Sequence, residues 1–373
     1  MLEMRTSERR DLKTCPQRWY WSQVEGLRPL RAANPLWFGS AVHEGLAGWY
    51  IPGTKRGTHP SETFDKYLAG NRRMLVTNDD EETEYQDARA LGIDMLDRYV
   101  ERWGEEPERD VIASEREFQV VLPRPEMVLF GRHRPAERRW LRYVGTWDGV
   151  HRDLITGEIR LAEHKTAASI WADHLPLDDQ AGSYWAVASK VLEKQGVLKA
   201  GEEIAGIEYN FLRKALGDTR PVNADGLRTN KPTKTDFVEA IDKHGVEELP
   251  GPLAKLKVVD LEALAEELGL TVFGEPSALQ PPAYFERFMV YRSRAERGQM
   301  IRRIQDEAVF AEAYRKGWLP VVKAPDLQKC RGCQFRRMCE LDESGDALAV
   351  EEFKEIQFTK TDPYAAHRKD VKK

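Results

Sequence analysis

Apolar residues recur at helical spacing over 61–76 and 83–103, as in ARALGIDMLDRYVERW. The same spacing predicts helices within residues 1–25 and over 38–50, where FGSAVHEGLAGWY offers Ser40 as an N-cap. The pattern then changes to period two. SEREFQVVLP (114–123), WLRYVGTWDGVHR (140–152) and EIRLAEHKT (158–166) read as strands broken by Pro- and Gly-containing turns. A helix over 178–194 and a strand over 204–214 follow. Residues 216–282 are turn-rich, with short helices near 234–244 and 260–268, and read as an insertion or subdomain. FERFMVYRS (285–293) returns to strand, 294–316 is a long basic helix, and a charged tail starts at 341. The order helix, three strands, helix, strand predicts an α/β core on one mixed sheet. The resulting organisation is 1–215 as helices plus core, 216–282 as the insertion, 283–340 completing the core, and 341–373 as tail.

Regular βαβ alternation is missing, and GLRTNKPT (226–233) lacks the second Gly and the Lys-Ser/Thr pair of a phosphate loop. An ATP-driven motor is therefore not expected. Charge narrows the choice further. With 57 Lys+Arg against 62 Asp+Glu and a net charge of -5, the 373-residue chain is no globally basic nucleic-acid binder. Two local tracts stand out instead. Arg132, His133, Arg134, Arg138, Arg139 and Arg142 surround Trp140 and Tyr143, while Arg9, Arg10, Lys13 and Arg18 flank Trp19, Tyr20 and Trp21. Cations interleaved with rings suit a single-strand groove, although a solvated charged face has the same composition. No run approaches the roughly 18 apolar residues of a membrane span. The charged N-terminus lacks the apolar core of a signal peptide, which gives the expectation of a cytoplasmic protein.

The chain has four cysteines, and three of them form CRGCQFRRMC: Cys330, Cys333 and Cys339. Arg331, Arg336 and Arg337 between the thiols argue against a purely apolar setting and favour the thiolate that binds metal. Cys15 is the one thiol left to act as a fourth ligand. A triplet plus a distant cysteine suits a [4Fe–4S] cubane, although three-plus-one zinc sites also occur. Either ion would clip the two ends of the chain together across a very long loop.

Asp148 lies in GTWDGV, and Glu163 and Lys165 lie in LAEHKTA. Residues two apart on a strand share a face, so Glu163 and Lys165 point the same way. With a two-residue turn at Thr156-Gly157, Asp148 would stand opposite Lys165 and Glu163 opposite Val150. Two carboxylates and an ammonium would then converge, a donor set for Mg²⁺ or Mn²⁺. A cross-strand salt bridge on a solvated face is the plainer alternative. Gln180 and Tyr184, at i and i+4, share a helix face just downstream. His43 sits among Gly39, Ala41 and Gly45 on a helix, where it can be a ligand or a packed residue.

Together, Cys15, GSAVHEGL, GTWDGV, AEHKT, QAGSY and the C-x2-C-x5-C run resemble, in order, the RecB-like nucleases of the PD-(D/E)xK superfamily. The closer likeness is to the iron–sulfur branch, with its AddB-type nuclease domains, the stand-alone nuclease of CRISPR adaptation and phage relatives. The resemblance spans residues 15–339 and matches 51–103, 216–282 and the tail poorly. It implies a restriction-endonuclease-like sheet flanked by helices, and a DNA exonuclease acting in recombination, repair or CRISPR-adaptation-like processing. A structure-specific endonuclease or a non-catalytic DNA-binding accessory protein are the alternatives. It further implies that His43, Asp148, Glu163 and the backbone carbonyl of His164 hold Mn²⁺ or Mg²⁺, with imidazole biasing the choice toward Mn²⁺. Lys165 would assist the attacking water, and Gln180 and Tyr184 would support it. Cys15, Cys330, Cys333 and Cys339 would hold a structural [4Fe–4S] cluster. DNA is the implied partner, contacted by Arg18, Arg134, Arg138 and Arg139, with a helicase or a recombination or CRISPR-adaptation protein alongside.

Overall fold

One long strand, β6 (Glu137–Asp153), organises the sheet. The computed structural model describes residues 1–30, 34–129, 131–245 and 251–365. Its N-terminal part holds β1 (Leu2–Arg5), α1 (Thr6–Thr14), α2 (Pro16–Trp19), β2 (Leu27–Pro29) and three longer helices, α3 (Asn34–Trp49), α4 (Pro60–Leu75) and α5 (Asp79–Trp103). Then come β3 (Arg109–Arg124), the short pair β4 (Met127–Leu129) and β5 (Arg132–Arg134), β6 (Glu137–Asp153), β7 (Ile159–Ala167), α6 (Asp179–Lys194) and β8 (Ile204–Arg213). The remainder is α7 (Lys234–His244), α8 (Val258–Glu267), β9 (Phe285–Tyr291), α9 (Arg294–Arg315), α10 (Leu327–Arg331), α11 (Arg336–Glu343), α12 (Ala347–Gln357) and β10 (Phe358–Lys360).

β3 runs antiparallel along one side of β6. The other side is shared: β1 pairs in parallel with residues 141–144, and β7 pairs antiparallel with 149–152. β8 lies parallel to β7, and β9 antiparallel to β8. Helices cover both faces. α6 and α9 bury Trp185, Leu192, Ile304 and Ala308 against Tyr143, Trp147, Leu161 and Ile207. On the opposite face α3, α4 and α5 bury Val42, Phe64, Met95 and Leu96 with Val111 and Leu212. Phe211 belongs to the first core and its neighbour Leu212 to the second, as alternation along a strand requires. The α4–α5 crossing is close because Gly92 has no side chain: a Cβ there would lie 2.1 Å from the Phe64 ring.

By chain contacts there are two compact units, 1–215 with 284–373, and 216–283. The smaller one has its own core of Phe237, Ile241, Leu261 and Ala265, contributed by α7 and α8. No helix among the described residues is long and apolar enough to cross a membrane.

Several expectations from the sequence need correction. Residues 2–5 are a strand, and the helical stretch that follows breaks at Cys15, whose backbone is extended (φ -160°, ψ 107°) because Pro16 follows it. Ser40 is interior to α3, which starts at Asn34, so it is not the N-cap of that helix. Over its described residues the charged tail adds structure to that reading: α12 leads into β10, which pairs with β2, and Phe358 stacks on Phe335 at 5.1 Å.

Candidate active site

The β6–β7 turn decides the geometry. Asp153 Oδ1 accepts from the backbone N–H groups of Ile155 and Thr156, both at 2.9 Å, and Asp153 N donates to the Glu158 carbonyl. The loop is thereby longer than the two-residue turn expected. Gly149 faces Ala162 and Val150 faces Leu161, so Asp148 lies level with Glu163 and not with Lys165. This corrects the expected register by two residues, an even slip that leaves each side chain on its face.

Asp148 is buried. Its Oδ2 accepts from the His164 N–H at 2.7 Å, and its Oδ1 stands 3.4 Å from His43 Nδ1. Glu115 Oε1 is also 3.4 Å from His43 Nδ1. One donor atom from each of His43, Glu115 and Asp148 lies within 4.8 Å of the other two. Glu115 was not singled out from the sequence. The pairs Ser114–Gly149 and Arg116–Trp147 bracket it level with Asp148, and its backbone is left-handed (φ 40°). A non-glycine residue in that region carries strain, a feature that gathers at functional sites.

Electrostatics mark the same spot as a cation site. Burial disfavours a charged His43, but Asp148 and Glu115 outweigh it and hold the imidazole pKa well above its ordinary value. Burial likewise opposes ionisation of Asp148, yet His43 and the His164 N–H bring it below the usual carboxylate range. Glu163 is different: burial, with Asp148 adding repulsion, pushes it up to about 7 although Lys165 opposes the rise. Lys165 Nζ lies 2.6 Å from Glu163 Oε1 and 3.8 Å from Asp178 Oδ2. Burial works against its charge, but those two carboxylates hold its pKa above the ordinary lysine value. Glu163 thus engages Lys165 and stands outside the three-residue group that meets at 4.8 Å.

The His164 ring turns into the core. It stacks on Tyr50 (5.9 Å, 12°), with Nδ1 2.9 Å from Asn210 Nδ2, and burial lowers its pKa to about 3. Its backbone N–H meets Asp148, and the ring stands edge-on to His43 at 6.1 Å (79°). Asn210 also reaches a buried network: Arg287 donates to Tyr50 Oη (3.0 Å), Tyr99 Oη (2.9 Å) and Glu106, while Arg109 pairs with Glu106 (3.1 Å) and Glu208. Gln180 lines a cavity of about 390 Å³ together with Lys165, His174 and the α1 residues Arg10 and Lys13. Tyr184 is buried edge-on to Phe118 (5.6 Å, 82°), and burial together with the nearby Glu163 charge raises its pKa.

Cys15, Cys330, Cys333 and Cys339 line one cavity of about 380 Å³ with Arg18, Trp21 and Phe335. Among the described residues, no three of these sulfurs lie within 4.8 Å of one another. The expected lowering of the thiol pKa values by interspersed arginines is not what Cys333 and Cys339 show: burial raises both, Cys339 to about 11. Arg336 and Arg337 pair with Glu340 at 2.9 and 3.2 Å instead.

The aromatic members of the basic tracts are core residues. Trp19, Trp21, Trp140 and Tyr143 are all buried, so none of these four can stack on a base, and Tyr20 is half-buried against the main core. Arg142 pairs with Glu3, Arg9 with Glu307 and Asp179, and Arg18 with Asp11 at 3.2 Å. Arg134 lies over the Trp318 ring at 4.1 Å, whereas Arg138 and Arg139 are exposed.

No curated protein matches the chain. A family model does: that of the PD-(D/E)XK nuclease superfamily, over residues 6–340. That span takes in the sheet from β3 to β9, the His43–Glu115–Asp148 group that could hold a metal ion, Glu163, Lys165 and all four cysteines, and the chain belongs to this superfamily of metal-dependent nucleases.

Proposed function

We propose that the protein is a metal-dependent deoxyribonuclease acting from DNA ends, with an iron–sulfur cluster tying its terminal segments together. The observation that carries the reading is the convergence of His43, Glu115 and Asp148 beside the Glu163–Lys165 pair. Two carboxylates and an imidazole fit Mg²⁺ or Mn²⁺, and the imidazole favours Mn²⁺. The divalent ion supplies Lewis-acid polarisation of the scissile phosphate and a more acidic water. His43, Asp148, Glu163 and the His164 carbonyl are the ligands we assign, and the structure adds Glu115 as a candidate. Lys165 orients the attacking water and offsets charge developing on the phosphate, with Gln180 and Tyr184 as supporting residues.

Incubation with end-labelled linear and with circular single-stranded DNA in Mn²⁺ tests this. Degradation of linear DNA alone fits an exonuclease. Nicking of circles means an endonuclease on the same core, and binding without cutting in Mn²⁺ would reduce the protein to a DNA-binding accessory. A helicase or a recombination or CRISPR-adaptation protein is the partner this activity would serve.

We assign iron rather than zinc to the cysteine cavity. Four cysteines lining one cavity, a triplet with one distant residue, suit a cubane that takes one thiolate per iron. Anaerobically purified protein should be brown and carry about four irons per chain; one zinc and no iron would overturn the assignment. Cys15→Ala should lower thermal stability more than it alters cleavage.

Of the arginines we assign to DNA, Arg138 and Arg139 are exposed. Replacing both with alanine should weaken DNA binding about equally across sequences, and reduce the salt slope by about one unit per lost contact. Adding Arg134→Ala should contribute less, since that guanidinium is engaged by Trp318. An unchanged slope would make the tract a solvated face.

A further inference from the structure

The nuclease reading leaves open what lies beside the scissile phosphate. Residues 168–178 join β7, which carries Glu163 and Lys165, to α6, which carries Gln180 and Tyr184. This connection is anchored. Leu175 is buried, its carbonyl accepts from Arg292 at 3.3 Å, and its N–H donates to Ala172 at 3.0 Å. Ile170 and Ala172 pack against the main core, whereas Trp171, between them, is 62% exposed. Its ring is held in place: Nε1 donates to Asp173 Oδ2 at 3.0 Å, and the His174 ring lies 5.1 Å away at 37°. His174 in turn lines the cavity that contains Lys165, Gln180, Arg10 and Lys13.

A lone exposed hydrophobe is ordinary. A tryptophan fixed outward by two inward-packed neighbours, with its indole N–H satisfied and a second ring alongside, presents a preorganised flat face. It adjoins His174, which lines the cavity holding the Lys165 ammonium, Arg9, Arg10 and Lys13 of α1, and the carboxylates of Asp178 and Asp179. Cations that track phosphates next to a ring that accepts a base are the two halves of a single-strand site. The buried tryptophans of the basic tracts cannot supply that ring. Bases inside a duplex have no free face to offer.

We propose that Trp171, backed by His174, is a stacking platform for an unpaired nucleobase next to the phosphate being cut. The preferred substrate is therefore a single strand or a frayed end. The proposal rests on the nuclease reading for its substrate, but its test is read from binding alone.

The full-length protein, with chelator present to prevent cutting, is titrated with a labelled single strand, the same strand with terminal abasic sugars, and a blunt duplex. Trp171→Ala should weaken single-strand binding about tenfold, within the range one stacked base contributes. Trp171→Tyr should restore most of it. The abasic strand should bind parent and Trp171→Ala alike, since it has no base to lose. An equal loss on the abasic strand or the blunt duplex would overturn the platform, because the effect would then run through phosphates or the fold. No loss on the single strand would also overturn it and would leave the ring to a protein partner. Failure of the nuclease reading shows separately, as absence of cutting by the parent in Mn²⁺.

Discussion

Glu163→Ala is expected to abolish phosphodiester cleavage, and Lys165→Ala to slow it on the order of 10²–10³-fold, the usual cost of one lost electrostatic contact to a transition state. The two losses differ in kind. Removing the carboxylate takes away an assigned metal ligand, whereas removing the ammonium leaves the ligands and withdraws stabilisation from the phosphate. Neither change should unfold the protein. Burial pushes Glu163 up to about 7, so in the metal-free protein the loss of Lys165 lets it take a proton and no bare buried charge is left, while a bound cation keeps it ionised. Without Glu163, Lys165 keeps Asp178 at 3.8 Å. For Glu163→Ala, DNA affinity should hold as well, since deleting a carboxylate cannot directly weaken phosphate binding. Cleavage, binding and iron content measured on parent and both variants check this. Cutting at the parent rate by either variant would show that the site is wrongly assigned.

Arg287→Ala should cost about 3–5 kcal/mol of stability, the range for breaking a buried ion pair by removing one partner. The guanidinium serves Glu106 and the hydroxyls of Tyr50 and Tyr99 at once, and it lies over the Trp103 ring at 4.0 Å. Its loss would leave Glu106 with Arg109 as its cationic partner among the contacts described. The effect should reach the active site too. Arg287 contacts Asn210, Asn210 contacts the His164 ring, and the His164 N–H holds Asp148. A urea titration followed by far-UV circular dichroism reads the stability change, and a shift below about 1 kcal/mol would mean that the network closes without Arg287.

Period-two alternation made β6, β7 and β8 legible, and with them the face shared by Asp148, Glu163 and Lys165. The register was not legible, because it depends on one side chain, Asp153, bridging two backbone N–H groups of its own turn. Glu115 was hidden for a similar reason. In SEREFQVV it is one polar residue among several, and only a left-handed backbone aims it at His43. The basic–aromatic tracts misled in the opposite direction. Their rings are apolar enough to build the core, and their arginines answer carboxylates far along the chain, such as Glu3 for Arg142 and Glu307 for Arg9. Trp171 carries no sequence signal that sets it apart from the buried tryptophans; what distinguishes it is that its two neighbours pack inward.

The pairing of β10 with β2 also bears on how the molecule assembles. Strands β3, β6 and β7 are neighbours along the chain and can meet early, at little cost in loop closure. The α1 wall of the Lys165 cavity is secured differently: Tyr364 Oη donates to Glu8, and Arg315 donates to the same carboxylate at 2.8 Å, so its anchors come from the far end of the chain. Contacts of such separation close late. During refolding from denaturant, the circular dichroism of the sheet should therefore recover before the capacity to cut DNA, with an interval in which a formed core stands beside an unfinished substrate cleft.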